Sequence, residues 1–151
     1  MAAESNSVTI FHDALCANSR DTLGLIRNSG IEPTIVDYLR DPPTRLQLTE
    51  LIGAAGLSVR AAMRKRGTRY HDLQLGDTVL TEAQLLDAMI GNPTLIKRPF
   101  VFVVTSRGTR WCRRPEQVLD ILPGSQRGFF AKESGEIVIA ANGERVCSRL
   151  R

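Results

Sequence analysis

The residue with the clearest chemical potential in this chain of 151 residues is Cys16. It follows the apolar run 8–11 and precedes a helix-forming segment that begins near Ser19. This order predicts a thiol in a strand-to-helix turn, where the free N–H groups and the dipole of the helix favour negative charge. A cysteine in such a turn favours the thiolate, which is the nucleophilic form. Because the same N–H groups can also hold an oxyanion, the turn predicts a nucleophile beside an anion site.

Several short motifs around and beyond this cysteine occur in the order of a known family. The first motif is His12-Asp13-Ala14-Leu15-Cys16-Ala17-Asn18-Ser19-Arg20. It resembles the His-Asn-Pro-x-Cys-x-x-Ser-Arg signature of the glutaredoxin-coupled arsenate reductases, with Asp13 and Ala14 in place of the asparagine and the proline. The segments that resemble the family's second strand, its three arginine motifs and its C-terminal segment are 27–39, 56–65, 97–99, 108–113 and 128–136. The resemblance covers residues 7 to 145.

The resemblance implies roles for three residues of the turn. Cys16 is the catalytic nucleophile, and His12, four residues earlier, is a catalytic partner whose charge favours the thiolate. A lone histidine at the end of a strand also fits a packed structural residue. The hydroxyl and N–H of Ser19 face the bound anion in the family, although a serine here is also a good helix N-cap. The sequence leaves both interpretations of each residue open.

The resemblance also implies an oxyanion clamp made of Arg64, Arg98 and Arg113. A guanidinium presents forked donors that match a tetrahedral oxyanion, and three of them would neutralise charge that develops on oxygen. Arg114 could replace Arg113, because Pro115 lies one residue later than in the family. Arg98 precedes Pro99, which the thioredoxin-like fold implies is a cis proline in a loop that faces the cysteine.

The reaction that the resemblance implies is the reduction of arsenate to arsenite through a covalent adduct of arsenate with Cys16. Glutathione is the implied co-substrate and glutaredoxin the implied partner, and no bound metal or organic cofactor is expected. The chain has three cysteines and no Cys-x-x-Cys motif, so no neighbouring thiol is available to resolve the adduct. Cys112 and Cys147 are interpreted as bystanders.

Two alternatives share the same fold. One is a thioredoxin-like transcription regulator of the Spx type, which usually carries Cys-x-x-Cys where this chain has Ser19 as the second member. The other is an arsenate-reductase-like protein that acts on a different substrate. The phosphatase-like class of arsenate reductases is excluded, since its Cys-x5-Arg loop would require arginine at Thr22.

Composition supports one cytoplasmic domain over residues 1–151. Apolar residues make up 42% of the chain, and no apolar run approaches the ~20 residues that span a bilayer. Residues 1–7 lack the features of a signal peptide. The net charge is +4, but the arginines are scattered and aromatic residues are only 5%, so we expect neither nucleic-acid nor membrane binding.

The elements that must position these residues follow a thioredoxin-like α/β pattern. The predicted strands are 8–11, 34–39, 100–105 and 109–112, and the predicted helices are 19–29, 44–55, 58–65, 81–90 and one that starts at Pro115. A small hairpin is expected over 135–146. The order is βαβ and then ββα, with a helical insertion at about 44–92 between the halves and a C-terminal extension at about 124–151.

Overall fold

The central element of the computed structural model, which describes residues 8–103 and 108–146, is a four-stranded mixed sheet. Its strands are β1 (Val8–His12), β2 (Thr34–Asp37), β3 (Phe100–Val103) and β4 (Gly108–Trp111), in the order β2-β1-β3-β4. β1 and β2 are parallel and are connected by helix α1 (Ala17–Asn28), whereas β3 is antiparallel to both β1 and β4. This topology confirms the predicted thioredoxin-like fold.

The segment between β2 and β3 contains the predicted insertion. It holds α2 (Arg45–Ala54) and α3 (Glu82–Gly91), and each helix begins with the expected capping box, at Thr44 and at Thr81. The predicted helix over 58–65 is wrong, because the chain forms only a short 3-10 turn, Arg60–Ala62. The reason is that Met63 turns to an extended conformation and forms a β-bridge with Ile96.

The chain after β4 continues into a 3-10 helix, Pro115–Asp120, where a helix starting at the proline was predicted. A second sheet follows, with β5 (Phe130–Ala131) paired to β6 (Ile137–Ile139). The predicted hairpin is present, since Ile139 pairs with Arg145 across the turn. The strand-connecting residues 104–107 and Cys147 lie outside the described residues.

The core has two parts, one on each face of the central sheet. One part packs α1 and the 3-10 helix after β4 against the residues Val8, Ile10, Val101 and Cys112. The other packs the insertion against Phe100, with Phe11 and Trp111 at its border. Among the described residues, no helix combines the length and the apolar character that a membrane crossing requires.

The strand pairing brings two distant segments to one end of the sheet. Because β1 and β3 are antiparallel, the end of β1 lies beside the start of β3, with Phe11 opposite Phe100. The turn that follows β1 contains Cys16, and the residues that precede β3 are Arg98 and Pro99. The fold therefore places the thiol turn and the proline loop side by side.

Candidate active site

Cys16 is the N-cap of α1, the position that precedes the first helical residue. Its backbone is extended, with φ −100° and ψ 120°, and its carbonyl accepts the N–H of Arg20 at 3.0 Å. The first N–H groups of a helix have no partner within the helix and point past its N-cap. The partly exposed thiol of Cys16 therefore sits where free donors and the positive end of the helix dipole act together.

The turn before Cys16 is fixed by buried hydrogen bonds. Ser19 Oγ, which is fully buried, accepts the N–H of Asp13 at 3.1 Å and shares a 2.7 Å hydrogen bond with Nδ1 of His12. Oδ1 of Asp13 accepts the N–H of Leu15 at 3.0 Å, and the carbonyl of Asp13 accepts the N–H of Cys16 at the same distance. These contacts leave the turn few alternative conformations, so the thiol position is determined by its neighbours.

His12 lies at the end of β1 and is 8% exposed. Burial lowers the pKa of His12 below its usual value, and the nearby carboxylates of Asp13 and Asp37 oppose this effect only in part. The imidazole is accordingly neutral near pH 7. Its contact with Ser19 then makes it a hydrogen-bonding anchor of the turn.

Arg98 connects the proline loop to the thiol turn. The peptide bond between Arg98 and Pro99 is cis, as predicted. Nε of Arg98 lies 2.9 Å from Oδ2 of Asp13, and one terminal nitrogen donates to the hydroxyl of Tyr38 at 3.3 Å. Burial lowers the pKa of Arg98, but the combined effect of Tyr38, Asp13 and Cys16 is larger and raises the pKa above its usual value. The guanidinium therefore stays charged beside the thiol.

A short bridge between two loops delivers Arg64 to the same place. The N–H of Arg64 donates to the carbonyl of Leu95 at 2.6 Å, and the N–H of Lys97 donates to the carbonyl of Ala62 at 2.9 Å. These bonds flank the bridge between Met63 and Ile96. The insertion thus carries one arginine to the loop that carries the other.

The side chains from these segments line one cleft of about 240 Å³: Cys16, Arg64, Lys97, Arg98 and Trp111. The ammonium of Lys97 lies 4.3 Å from the centre of the Trp111 ring, a cation–π contact. The cleft therefore combines one thiol with three cations. A larger groove of about 530 Å³ beside β4 and β6 contains no cysteine or histidine in its lining, so it offers no thiol or imidazole.

This arrangement suits covalent chemistry on an oxyanion. Arginine forks and helix N–H groups can hold the oxygens of a tetrahedral anion while the thiolate attacks its central atom. Among the described residues, no group of histidine, cysteine, aspartate or glutamate side chains is placed to hold a metal ion.

Comparison with known proteins identifies the family of this chain. The model of the ArsC family matches residues 11–121. The chain belongs to the ArsC family. An arsenate reductase of Rhizobium meliloti (strain 1021) is 53% identical over 93% of this chain and 99% of that protein, and one of Escherichia coli (strain K12) is 49% identical over the same shares. The solved arsenate reductase from Vibrio cholerae has a TM-score of 0.73 and 42% identity, over 78% of this chain and 98% of its own.

Of the residues that the ArsC signature implied, the structure brings Cys16, Arg64 and Arg98 into one cleft. His12 lies next to the turn but contacts Ser19 rather than the cleft. The hydroxyl of Ser19 faces inward, where His12 and Asp13 occupy it, so only its backbone N–H remains for an anion. The predicted roles of these residues stay predictions.

The third arginine of the predicted clamp lies beside the cleft rather than in its lining. Arg113 lines a neighbouring groove that shares Trp111 with the cleft, whereas Arg114 lines the larger groove near β6. After burial, the charge of Arg113 is the next largest cause of the lowered pKa of Lys97. Arg113 is therefore the better placed of the two to add charge to the cleft.

Sequence reasoning missed residues that position this ArsC site through long-range contacts. The amide of Asn18 donates to the carbonyls of Cys112 and Arg113, at 3.0 and 2.9 Å, and ties the start of α1 to the end of β4. Arg20 donates to the carbonyl of Ala14 at 2.7 Å and pairs with Glu133 of the C-terminal segment. Both residues fall in the signature motif, but Cys112, Arg113 and Glu133 lie 94 to 113 positions from them, where no local pattern indicates a partner.

Proposed function

We propose that this protein reduces arsenate to arsenite. The observation that carries the proposal is the position of Cys16 at the N-cap of α1, in one cleft with Arg64 and Arg98. The names of the ArsC relatives supply the substrate, because both curated relatives and the Vibrio cholerae structure described above are arsenate reductases.

In the first step, the Cys16 thiolate attacks arsenic and a water or hydroxide leaves, which forms an S–As(V) bond. The arsenic keeps its oxidation state in this exchange. Negative charge develops on the arsenate oxygens, and we assign its stabilisation to Arg64 and Arg98, which line the cleft with Cys16. In comparable sites one preorganised donor contributes ~3–4 kcal/mol to such a transition state.

In the second step, an external thiol completes the reduction. Cys112 is fully buried, so it cannot reach the adduct, and we assign the role to glutathione. Its sulfur bonds to the sulfur of Cys16 as arsenic leaves with the electron pair of the S–As bond. Each of the two sulfurs thereby loses one electron, and arsenic goes from As(V) to As(III). A glutaredoxin thiolate then exchanges with the mixed disulfide and frees Cys16.

His12 and Ser19 have supporting parts in this scheme. The Ser19 hydroxyl accepts the N–H of Asp13 and is itself hydrogen-bonded to the neutral imidazole of His12, and together they fix the turn that presents Cys16. The backbone N–H groups at the start of α1, including that of Ser19, face the anion. The scheme uses no metal or bound organic cofactor, and this expectation and the cytoplasmic location both stay predictions.

The two alternatives make different demands on the same cleft. A regulator of the Spx type would use a dithiol at the turn, but here the second position is Ser19, whose hydroxyl is enclosed. An enzyme for another tetrahedral oxyanion would keep the same cations, and competition between anions separates that case. Neither alternative has an observation of its own in this structure.

The test is arsenite production by the purified protein with arsenate, glutathione, glutaredoxin, glutathione reductase and NADPH. We expect arsenate-dependent NADPH oxidation with one arsenite formed per NADPH. Replacing glutaredoxin and glutathione by a thioredoxin system should abolish most of the turnover. Arsenite production that is equally fast with thioredoxin would contradict the donor assignment, and no arsenite with either system would contradict the function itself.

A further inference from the structure

A buried carboxylate contacts Arg98, one of the cations that line the cleft. Asp13 takes the place of the signature asparagine, and its side chain is only 5% exposed. A buried negative charge beside a site for an anion weakens anion binding, because like charges repel strongly where water is excluded. Its presence there calls for a compensating role. The contacts of Asp13 identify that role.

Each oxygen of the Asp13 carboxylate has a separate partner. Oδ1 accepts the N–H of Leu15 at 3.0 Å and so shapes the turn before Cys16. Oδ2 lies 2.9 Å from Nε of Arg98, whose own side chain is 10% exposed. The Nε–H has no well-aligned hydrogen bond, so the contact between these two groups is mainly a coulombic ion pair.

The ion pair engages only one edge of the guanidinium. Arg98 is held on its Nε side by Asp13, while a terminal nitrogen donates to the hydroxyl of Tyr38 and to the carbonyl of Thr94, both at 3.3 Å. The guanidinium lines the same cleft as Cys16. The carboxylate thus fixes the orientation of the guanidinium and leaves the other terminal nitrogen, Nη2, without a hydrogen bond among the described residues.

We propose that Asp13 is a positioning residue that orients the guanidinium of Arg98 toward Cys16 and the bound oxyanion. The proposal rests on the proposed function for its kinetic consequence. A donor that is preorganised at the developing charge stabilises the transition state more than the bound substrate. Asp13 therefore acts on kcat through Arg98, and its charge is the cost of that orientation.

The first variant is Asp13→Asn. Its amide oxygen can still accept the N–H of Leu15, but the negative charge that pairs with Arg98 is lost. We expect kcat for arsenate to fall about 10-fold and KM to change less than about threefold. The matched control is Asp87→Asn, which removes a carboxylate that pairs with Arg45 between the exposed faces of α2 and α3. It should leave both constants within about twofold.

A double-mutant cycle tests whether Asp13 acts through Arg98. In an Arg98→Gln background, Asp13 has no guanidinium to hold, so adding Asp13→Asn should cost less than about twofold or restore activity by removing an unpaired buried carboxylate. Single-turnover arsenite formation measures the slow variants. Independent, additive losses from the two substitutions would overturn the proposal, as would an Asp13→Asn protein as active as the wild type.

A second measurement does not depend on turnover. Hydrogen exchange at the Arg98 Nε–H, followed by NMR of the 15N-labelled protein, should be about 10-fold faster in Asp13→Asn and unchanged in Asp87→Asn. Unchanged exchange in Asp13→Asn would overturn the proposal even if activity fell. If the wild type makes no arsenite, the proposed function fails while this exchange still decides the role of Asp13. Asp13→Ser, with a short acceptor for Leu15, replaces Asp13→Asn if the latter does not fold.

Discussion

Two cysteines near the same end of the sheet differ in almost every property that governs reactivity. Cys16 is partly exposed at the N-terminus of α1 and shares a cleft with Arg98. Cys112 is fully buried in the core, and burial raises its pKa to about 12. Yet Asn18, two residues after Cys16, donates to the carbonyl of Cys112. The two thiols are therefore close in the fold, and their difference in reactivity comes from burial and from the helix N-terminus rather than from distance.

The difference arises from strand alternation and helix termination. At the end of β4, successive side chains point to opposite faces, so Trp111 reaches the cleft while Cys112 packs under α1. Cys16 lies just outside α1, where helix N–H groups remain free. The sheet thus excludes one thiol from the substrate, and the helix presents the other to it.

Removing each thiol separately should have the largest and most unequal effects. Cys16→Ser should reduce arsenite production to background while the fold is kept, because the serine hydroxyl is nearly isosteric but far less nucleophilic at neutral pH. Cys112→Ala should keep most of the activity, and so should Cys147→Ser. Arsenite formation with glutathione and glutaredoxin measures all three. Substantial activity in Cys16→Ser would mean that the nucleophile is elsewhere.

The next test changes the cation beside Cys16 without changing its charge. Arg98→Lys should lower kcat/KM for arsenate roughly 100- to 1,000-fold, because an ammonium lacks the fork that holds two oxygens of one anion. Arg66→Lys and Arg69→Lys are matched controls, since both residues are exposed and neither lines the cleft. Equal, small effects at all three positions would make Arg98 ordinary surface charge.

Much of this site could be predicted because its signals are local. The apolar run of β1, the capping boxes at Thr44 and Thr81 and the proline before β3 each depend on residues within a few positions of one another. Such patterns fix helix starts and strand positions. They led to the order of elements and to Cys16 at a helix start, whereas the cis bond before Pro99 was implied by the resemblance to a thioredoxin-like family.

The rest depended on pairings that no local pattern contains. The prediction of a helix at 58–65 was wrong because Met63 forms a β-bridge with Ile96, more than thirty positions later. Local propensity cannot anticipate such a tertiary contact. The ion pair between Asp13 and Arg98 likewise joins two loops that only the pairing of β1 with β3 brings together. In the sequence, Asp13 reads simply as an unfavourable charge.

The buried state of Cys112 also predicts how stability depends on pH. Its pKa is about 12 in the folded protein and about 8.5 in an unfolded chain, so the unfolded chain releases the proton first as pH rises. Stability is therefore full below about pH 8.5 and falls above it, by at most about 2 kcal/mol at pH 10. Burial also raises the pKa of Tyr38 to about 12, from an ordinary value of 10.0, which extends the decline above pH 10.

Cys112→Ala should remove most of the decline between pH 8.5 and 10, although a small cavity lowers its stability at every pH. Urea unfolding at pH 7.5 and pH 10 gives the two differences to compare. A wild-type protein that is equally stable at both values would show that Cys112 is not enclosed as the structure has it.

The smallest expected effect concerns the charge that surrounds Cys16 but not Cys112. Lys97 lines the cleft over Trp111 and forms no ion pair with a carboxylate among the described residues. Burial, followed by Arg113 and Lys65, lowers its pKa, so its ammonium gains from the arrival of an anion.

Lys97→Met should raise KM for arsenate about three- to tenfold with little change in kcat, since a partly exposed charge contributes about 1 kcal/mol to binding. Lys97→Arg should keep KM within about twofold, and exposed Lys65→Met is the control for net charge. A loss in kcat rather than KM would instead mean that Lys97 acts on the transition state, as the arginines are proposed to do.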